Sequence, residues 1–178
     1  MLFNACFIER WFTRCAQLAM LSAMVLGFMA QAVDLSEYDE LTTESQLAAI
    51  AQQGDMLDAD IHQVGVSNLG LIGQLGTDLK AELRQSGGDN QAIIAQSGLA
   101  IEARLLQQGF NNVILASQYG NTLNLDVEQI GNDNQAYINQ TGYENFVAIY
   151  QNGSGHAVIV TQWGNNQNAT VTQGYVGQ

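Results

Sequence analysis

The sequence has 178 residues, with 17 acidic and 5 basic side chains and a formal net charge of −12. This acidic excess argues against nucleic acid as a partner, because phosphate binding depends on Lys and Arg. The chain has no proline, which suits a backbone whose amides are all needed for sheet hydrogen bonds.

Residues 1–32 have the features of a secretion signal peptide. Arg10 and Arg14 supply positive charge, an apolar run covers residues 16–29, and residues 30–32 (Ala-Gln-Ala) form a small-x-small cleavage site. The apolar run is shorter than the roughly 20 residues that a membrane-spanning helix needs. We therefore expect secretion, with a membrane anchor as the less favoured alternative.

The exported chain is expected to lack disulfides, because both cysteines, Cys6 and Cys15, lie in the signal peptide. Cleavage leaves 3 of the 5 basic and 16 of the 17 acidic residues. The mature chain then consists of an acidic N-terminal segment, residues 33–45, and a repeat domain, residues 46–178. The repeat domain has to supply the stability.

Gln recurs every eleven residues over residues 52–173, and all but the last of these Gln residues are followed two positions later by Gly. The Gln residues are Gln52, Gln63, Gln74, Gln85, Gln96, Gln107, Gln118, Gln129, Gln140, Gln151, Gln162 and Gln173. The glycines are Gly54, Gly65, Gly76, Gly87, Gly98, Gly109, Gly120, Gly131, Gly142, Gly153 and Gly164. A unit copied in this way indicates a protein in which each repeat contacts its neighbours.

Within each unit, inward-facing side chains alternate with outward-facing ones, which is typical of a β-strand. The seventh residue after each Gln is small or aliphatic and the ninth is apolar, as in Ala92 and Ile94. An eleven-residue period also occurs in helical coiled coils, but a Gly in every unit would cost a helix about 1 kcal/mol each time. The pattern instead predicts turns at Gly and twelve strands: 46–52, 57–63, 68–74, 79–85, 90–96, 101–107, 112–118, 123–129, 134–140, 145–151, 156–162 and 167–173.

The fifth position after each Gln reveals a longer period of 22 residues. Alternate units carry Asn68, Asn90, Asn112 and Asn134, whereas the units between them carry Leu57, Leu79, Ile101 and Leu123. One strand out and one strand back predicts an all-β fold, a flattened parallel β-solenoid of about six turns. Identical residues would stack about 4.8 Å apart, so that the Gln and Asn side chains, including Asn145, form amyloid-like amide ladders.

The outward-facing positions predict one apolar and one charged broad face. The apolar side chains are Leu47, Leu69, Leu71, Ile93, Val113, Leu115, Tyr137 and Ile159. The charged ones are Asp58, Asp60, Lys80, Glu82, Arg84, Glu102, Arg104, Asp126 and Glu128. We expect the apolar face to pack against another solenoid, the bacterial outer surface or residues 33–45.

The ends of such a solenoid would be uncapped, and their unpaired N–H and C=O groups would invite further strands. We predict docking around residues 47–63 and 145–162.

No cofactor, metal site or enzymatic activity is expected. Asp58, Asp60 and His62 share one strand face and are the best metal-site candidate, but three separately solvated side chains are the favoured interpretation. Neither His62 nor His156 belongs to a nucleophile arrangement, and no phosphate-binding loop is present. A non-amyloid β-solenoid adhesin remains the alternative from another class.

The string QxGxxNxAxxxQ, at residues 85–96 and again at residues 129–140, resembles the curlin repeat of bacterial curli amyloid fibres. The resemblance covers residues 46–178. It implies a structural subunit of an extracellular functional amyloid fibre that is secreted through the periplasm, attached to the outer cell surface, and supports adhesion and biofilm formation. The implied partners are the curli major subunit, further copies of the chain, the curli secretion pore with its accessory factors, and the outer-membrane surface.

The chain is more similar to the minor curli subunit, which nucleates the fibre, than to the major subunit, which forms its bulk. Two features are similar to the minor subunit. The eleven-residue spacing is uninterrupted, and an apolar residue such as Leu79 stands at a position that otherwise holds Asn or Ser. Residues 33–45 also differ from the Gly-rich N-terminal segment of the major subunit. We expect the minor subunit, with the major subunit as the alternative.

Overall fold

The computed structural model describes residues 45–174. The predicted signal peptide (residues 1–32), the acidic segment except Ser45, and residues 175–178 lie outside the described residues.

Residues 45–174 form an all-β, parallel β-solenoid of about six turns with about 22 residues per turn, so the predicted fold class is confirmed. The strands are β1 (Leu47–Val66), β2 (Leu69–Gly88), β3 (Gln91–Phe110), β4 (Val113–Asn121), β5 (Asn124–Asn132), β6 (Gln135–Tyr143), β7 (Phe146–Ser154), β8 (Ala157–Asn165) and β9 (Asn168–Gly174). No helix long and apolar enough to span a membrane occurs within these residues.

Every strand pairs in parallel with residues one turn, 22 positions, away along the chain, as Ile72 does with Ile94. β1, β2 and β3 stack in sequence order, and β3 then pairs with both β4 and β5. From there β4, β6 and β8 continue one side of the solenoid, while β5, β7 and β9 continue the other. The register is the one that the 22-residue period predicts.

The strand boundaries differ from the twelve predicted strands. β1, β2 and β3 each combine two predicted strands, and the other strands begin later and, except β9, end at the third residue after Gln. The reason is that the residues after each Gln stay paired with the next turn, as Gly120 does with Gly142. The turn glycines therefore bend the strands without leaving the ladder.

The chain reverses direction at two arcs in each turn. We name each arc by the residue type that most often stands at its end. The Leu arc ends at Leu57, Leu79, Ile101, Leu123, Asn145 or Gln167, and the Asn arc ends at Asn68, Asn90, Asn112, Asn134 or His156. In both arcs the glycine has a φ between +115° and +143°. The second residue after that glycine is also left-handed, as at Asp89 and Asn111, both with φ +56°.

Close stacking of the turns requires glycine in the arcs. A Cβ on Gly120, whose φ is +143°, would lie 1.9 Å from the carbonyl oxygen of Gly142 in the next turn. That oxygen belongs to a backbone held by its own ladder, so it has no room to move.

The core is a thin layer between the two strand faces. Its main cluster contains the seventh and ninth residues of the repeat, including the fully buried Ile72, Leu83, Leu105 and Ile114. A second cluster of Leu79, Ile101 and Leu123, with Leu57 packed against it, fills the Leu arc. Apolar burial and stacking therefore act in the same narrow space.

Gly120→Ala is expected to destabilise the solenoid by more than about 3 kcal/mol, because the new Cβ overlaps a backbone oxygen that cannot shift. The matched control is Gly155→Ala: Gly155 has a φ of +72° but no heavy atom within 4 Å of the added Cβ. The control variant should be destabilised by only about 1–2 kcal/mol, the cost of a left-handed backbone at a residue with a side chain. Denaturant titration measures both, and equal losses would contradict the stacking argument.

Candidate functional site

The predicted ladder Gln residues form two columns that run through the whole described solenoid. Gln85 is typical: its Nε2 donates to Gln107 Oε1 at 2.7 Å and, across the core, to the Leu69 carbonyl at 3.1 Å. Its own oxygen accepts from Gln63 Nε2 at 2.7 Å. Both N–H groups and the oxygen are thus used, although Gln85 is 1% exposed.

The Gln columns have a direction. In every Gln–Gln bond of residues 45–174, Nε2 donates to the Gln one turn closer to the C-terminus. The bond across the core fixes this orientation, because only the nitrogen can donate to a carbonyl. At the first turn, the side-chain oxygens of Gln52 and Gln63 therefore accept no hydrogen bond from another Gln of the described range. At the last turn, the side-chain N–H groups of Gln162 and Gln173 donate to no further Gln of that range.

The column of Asn residues in the Asn arc runs the other way. Asn90 Nδ2 donates to Asn68 Oδ1 at 3.1 Å, and the same oxygen accepts from the Asn90 backbone N–H at 3.1 Å. Asn90 Nδ2 also donates to the Gly109 carbonyl at 2.9 Å. Asn112 and Asn134 repeat this pattern, so each amide joins three neighbouring backbone or side-chain groups.

His156 continues the Asn column, which the sequence analysis missed. Its backbone N–H donates to Asn134 Oδ1 at 3.1 Å, and its Nδ1 lies 3.1 Å from the same oxygen. The signal was available in the sequence, because His156 is the fifth residue after Gln151.

The structure places Asn145 away from the other four Asn residues of the predicted ladder. Asn145 lies in the Leu arc, one turn after Leu123. Its Nδ2 donates to the Gly164 carbonyl at 2.8 Å and its Oδ1 accepts from the Gln167 backbone N–H at 2.9 Å. The Leu arc is therefore apolar in its first four turns and amide-lined in its last two.

No buried side-chain nitrogen or oxygen in the described range lacks a hydrogen-bond partner. This matters because an unpaired buried polar group costs about 1–3 kcal/mol. The ladders remove that cost for all the interior turns.

The two broad faces carry the predicted contrast. The register stacks Leu71, Ile93, Leu115, Tyr137 and Ile159 along the apolar face. On the charged face, Arg104 lies between Glu82 and Asp126. Arg104 donates to Asp126 at 2.9 Å, and this hydrogen bond and the Asp126 charge raise the pKa of Arg104.

The two end turns are more exposed than the interior. β1 pairs only with β2, and β8 and β9 pair only with β6 and β7. Ile50 is 41% exposed, whereas its stacking partner Ile72 is fully buried. Each end of the described solenoid thus presents a strand edge and an incomplete core layer.

Nothing in the described range favours catalytic or metal chemistry. No group of three or more His, Cys, Asp or Glu side chains within residues 45–174 is arranged to hold a metal ion. A pocket beside Glu128 and Tyr150 has a volume of about 130 Å³, below the roughly 300–1,000 Å³ typical of ligand sites.

Gln107→Ala is expected to destabilise the solenoid by about 2–4 kcal/mol, because it removes three hydrogen bonds and leaves a cavity. The matched control is Gln108→Ala: Gln108 is the adjacent residue and its side chain is exposed. The control should stay within about 0.5 kcal/mol of the parent chain. Chemical denaturation compares the two, and a ladder variant as stable as the control would contradict the role of the Gln columns.

Comparison with known families gives one result. The model of the Curlin associated repeat matches residues 54–87, 100–131, 131–163 and 142–174. No curated protein and no solved structure matches the chain significantly. The matched segments cover more than half of the chain. They contain both arcs, the column Gln residues except Gln52 and Gln96, and the turn glycines except Gly98. The chain belongs to the curlin repeat family.

Proposed function

We propose that this chain is the minor subunit of extracellular curli fibres and nucleates polymerisation of the major subunit at the cell surface. The observation that carries this proposal is the pair of Gln columns that run unbroken to both open ends of the solenoid. On this proposal the chain is secreted through the periplasm by the curli pore and its accessory factors. The fibre then supports adhesion and biofilm formation.

The open ends support fibre growth. A subunit that stacks on an end turn would form on the order of ten backbone hydrogen bonds, each contributing about 0.5–1.5 kcal/mol net. It would also extend the two Gln columns and the core. These contributions have to exceed the entropy lost when a disordered chain is ordered.

A preformed end turn supports nucleation in particular. The first turns of a solenoid are costly, because chain ordering precedes most of the stacking contacts. A folded template supplies those contacts at once, so an incoming chain avoids the slow step. The Asp residues of the first turns, such as Asp58 and Asp60, would slow assembly before secretion, because charged residues oppose edge pairing.

A substoichiometric amount of the folded mature chain is expected to abolish the lag phase of major-subunit polymerisation in a dye-binding assay. The template replaces spontaneous formation of the first turns, and therefore the later growth rate should change little. A lag that persists with added template would contradict nucleation. Fibre formation by this chain alone, without any effect on the partner, would favour the major-subunit alternative. A soluble particle that neither seeds nor polymerises would favour the adhesin.

Asn134→Ala is expected to lengthen the lag of this chain's own polymerisation, in the dye-binding assay without the major subunit, at least about threefold. The buried Asn134 amide links the Asn112 and His156 turns, and its loss leaves polar groups unpaired. The matched control is Asn139→Ala: Asn139 faces outward and is exposed. Equal lag times for the two variants in the same assay would count against the Asn column.

A further inference from the structure

The Gln columns dictate how two solenoids stack. The last turn presents the N–H groups of Gln162 and Gln173, and the first turn presents the oxygens of Gln52 and Gln63. Like ends would face donor with donor or acceptor with acceptor. Stacking is therefore head to tail, with the last turn of one chain against the first turn of the next.

In that arrangement the Leu arc of one chain does not place like side chains over those of the next chain. The last turn ends this arc with Gln167, stacked on the buried Asn145. The first turn begins it with Leu57, stacked on the buried Leu79. In a head-to-tail pair of identical chains, Leu57 of the incoming copy lies over the Gln167 amide. The Gln167 Nε2 already donates to the Trp163 carbonyl and its Oε1 accepts from the Trp163 backbone N–H, both at 2.9 Å. Under Leu57, its second N–H would lose water without gaining a hydrogen bond.

The two Gln columns and the main core match in the same arrangement. The 22-residue register places Gln162 under Gln52, Gln173 under Gln63, and Val160 under Ile50 of the incoming chain. The same register places His156, at the end of the Asn arc, under Gln46 of the incoming chain. The Gln columns and the core thus continue across the junction, whereas the residue type changes in both arcs.

The charge distribution favours the last turn as the receiving surface. Glu144 is the only Asp, Glu, Lys or Arg between residues 134 and 174. The first turn carries Asp55, Asp58 and Asp60, all exposed. Because charged side chains protect strand edges from pairing, the uncharged edges of β8 and β9 are the open ones.

We propose that the C-terminal end turn, formed by β8 and β9, selects an incoming curlin-repeat chain that carries an amide side chain at the position of Leu57, in preference to a second copy of this chain. The inference deepens the proposed function and rests on it. The chain's own last turns, with Asn145 and Gln167, display the side-chain chemistry that such a partner brings to its first turn.

The test is a two-by-two elongation experiment with short fibre templates and labelled monomers of the mature chain. The templates are the parent chain, with an amide at the end of the Leu arc, and Asn145→Leu/Gln167→Leu, with an apolar end. The monomers are the parent chain, with Leu57, and Leu57→Asn. Capture of the first labelled monomer by each template is counted by two-colour fluorescence microscopy, because every later monomer meets the end turn of an added monomer and no longer that of the template.

The expected result is a crossover. Parent template with Leu57→Asn monomer, and double-variant template with parent monomer, should each capture the first monomer roughly tenfold faster than the two mismatched pairings, as expected when polar groups stay paired. A folding defect in one variant cannot produce this pattern, because each template and each monomer takes part in one matched and one mismatched pairing.

Two other outcomes contradict different claims. Growth at rates that show no crossover would overturn the selection by the Leu arc and leave end growth intact. No growth in any of the four pairings would overturn growth at the ends, and the proposed function with it.

Discussion

Hydrogen bonding between side-chain amides along the solenoid axis is the constraint on which the rest of the structure depends. A primary amide is both donor and acceptor, so a column of identical amides satisfies itself when neighbours repeat at the strand spacing of about 4.8 Å. Gln85, Gln107 and Gln129 are at most 1% exposed, and each would be costly if its partners shifted. The amides therefore tie the sequence period to the structural period.

The apolar core stabilises the fold, but it fixes the strand register much less than the amide columns do. A buried Leu or Ile stabilises the fold by about 1.5–3 kcal/mol wherever it finds apolar neighbours. Ile94, which pairs with Ala116, would still meet the apolar Ile114 if the next turn slipped by two residues. The amides allow no such slip, because Gln107 has to meet both Gln129 and the Gln91 carbonyl. Close approach of the turns then requires glycine at positions such as Gly120. Within residues 45–174, the same repetition leaves the two end turns with an unpaired strand edge.

Much of this fold could be predicted from the sequence, because a repeat multiplies weak local signals. The Gln spacing and the contrast of Asn90 with Leu79 predicted the 22-residue turn and the parallel register. Strand continuity could not be predicted, since turn residues such as Gly120 were assumed to leave the ladder. The direction of the amide bonds was also inaccessible, because it depends on a contact across the core, as between Gln85 and Leu69. Asn145 was assigned by residue type, whereas its place follows from counting units.

The central claim is that neighbouring ladder amides stabilise each other, and a double-mutant cycle on Gln85 and Gln107 tests it most directly. Each single variant, Gln85→Leu or Gln107→Leu, leaves the amide of the other Gln without its hydrogen-bond partner. The double variant replaces both amides by apolar side chains. The account predicts that the double variant loses about 1–2 kcal/mol less than the two single losses combined. Losses that add within about 0.3 kcal/mol would contradict it.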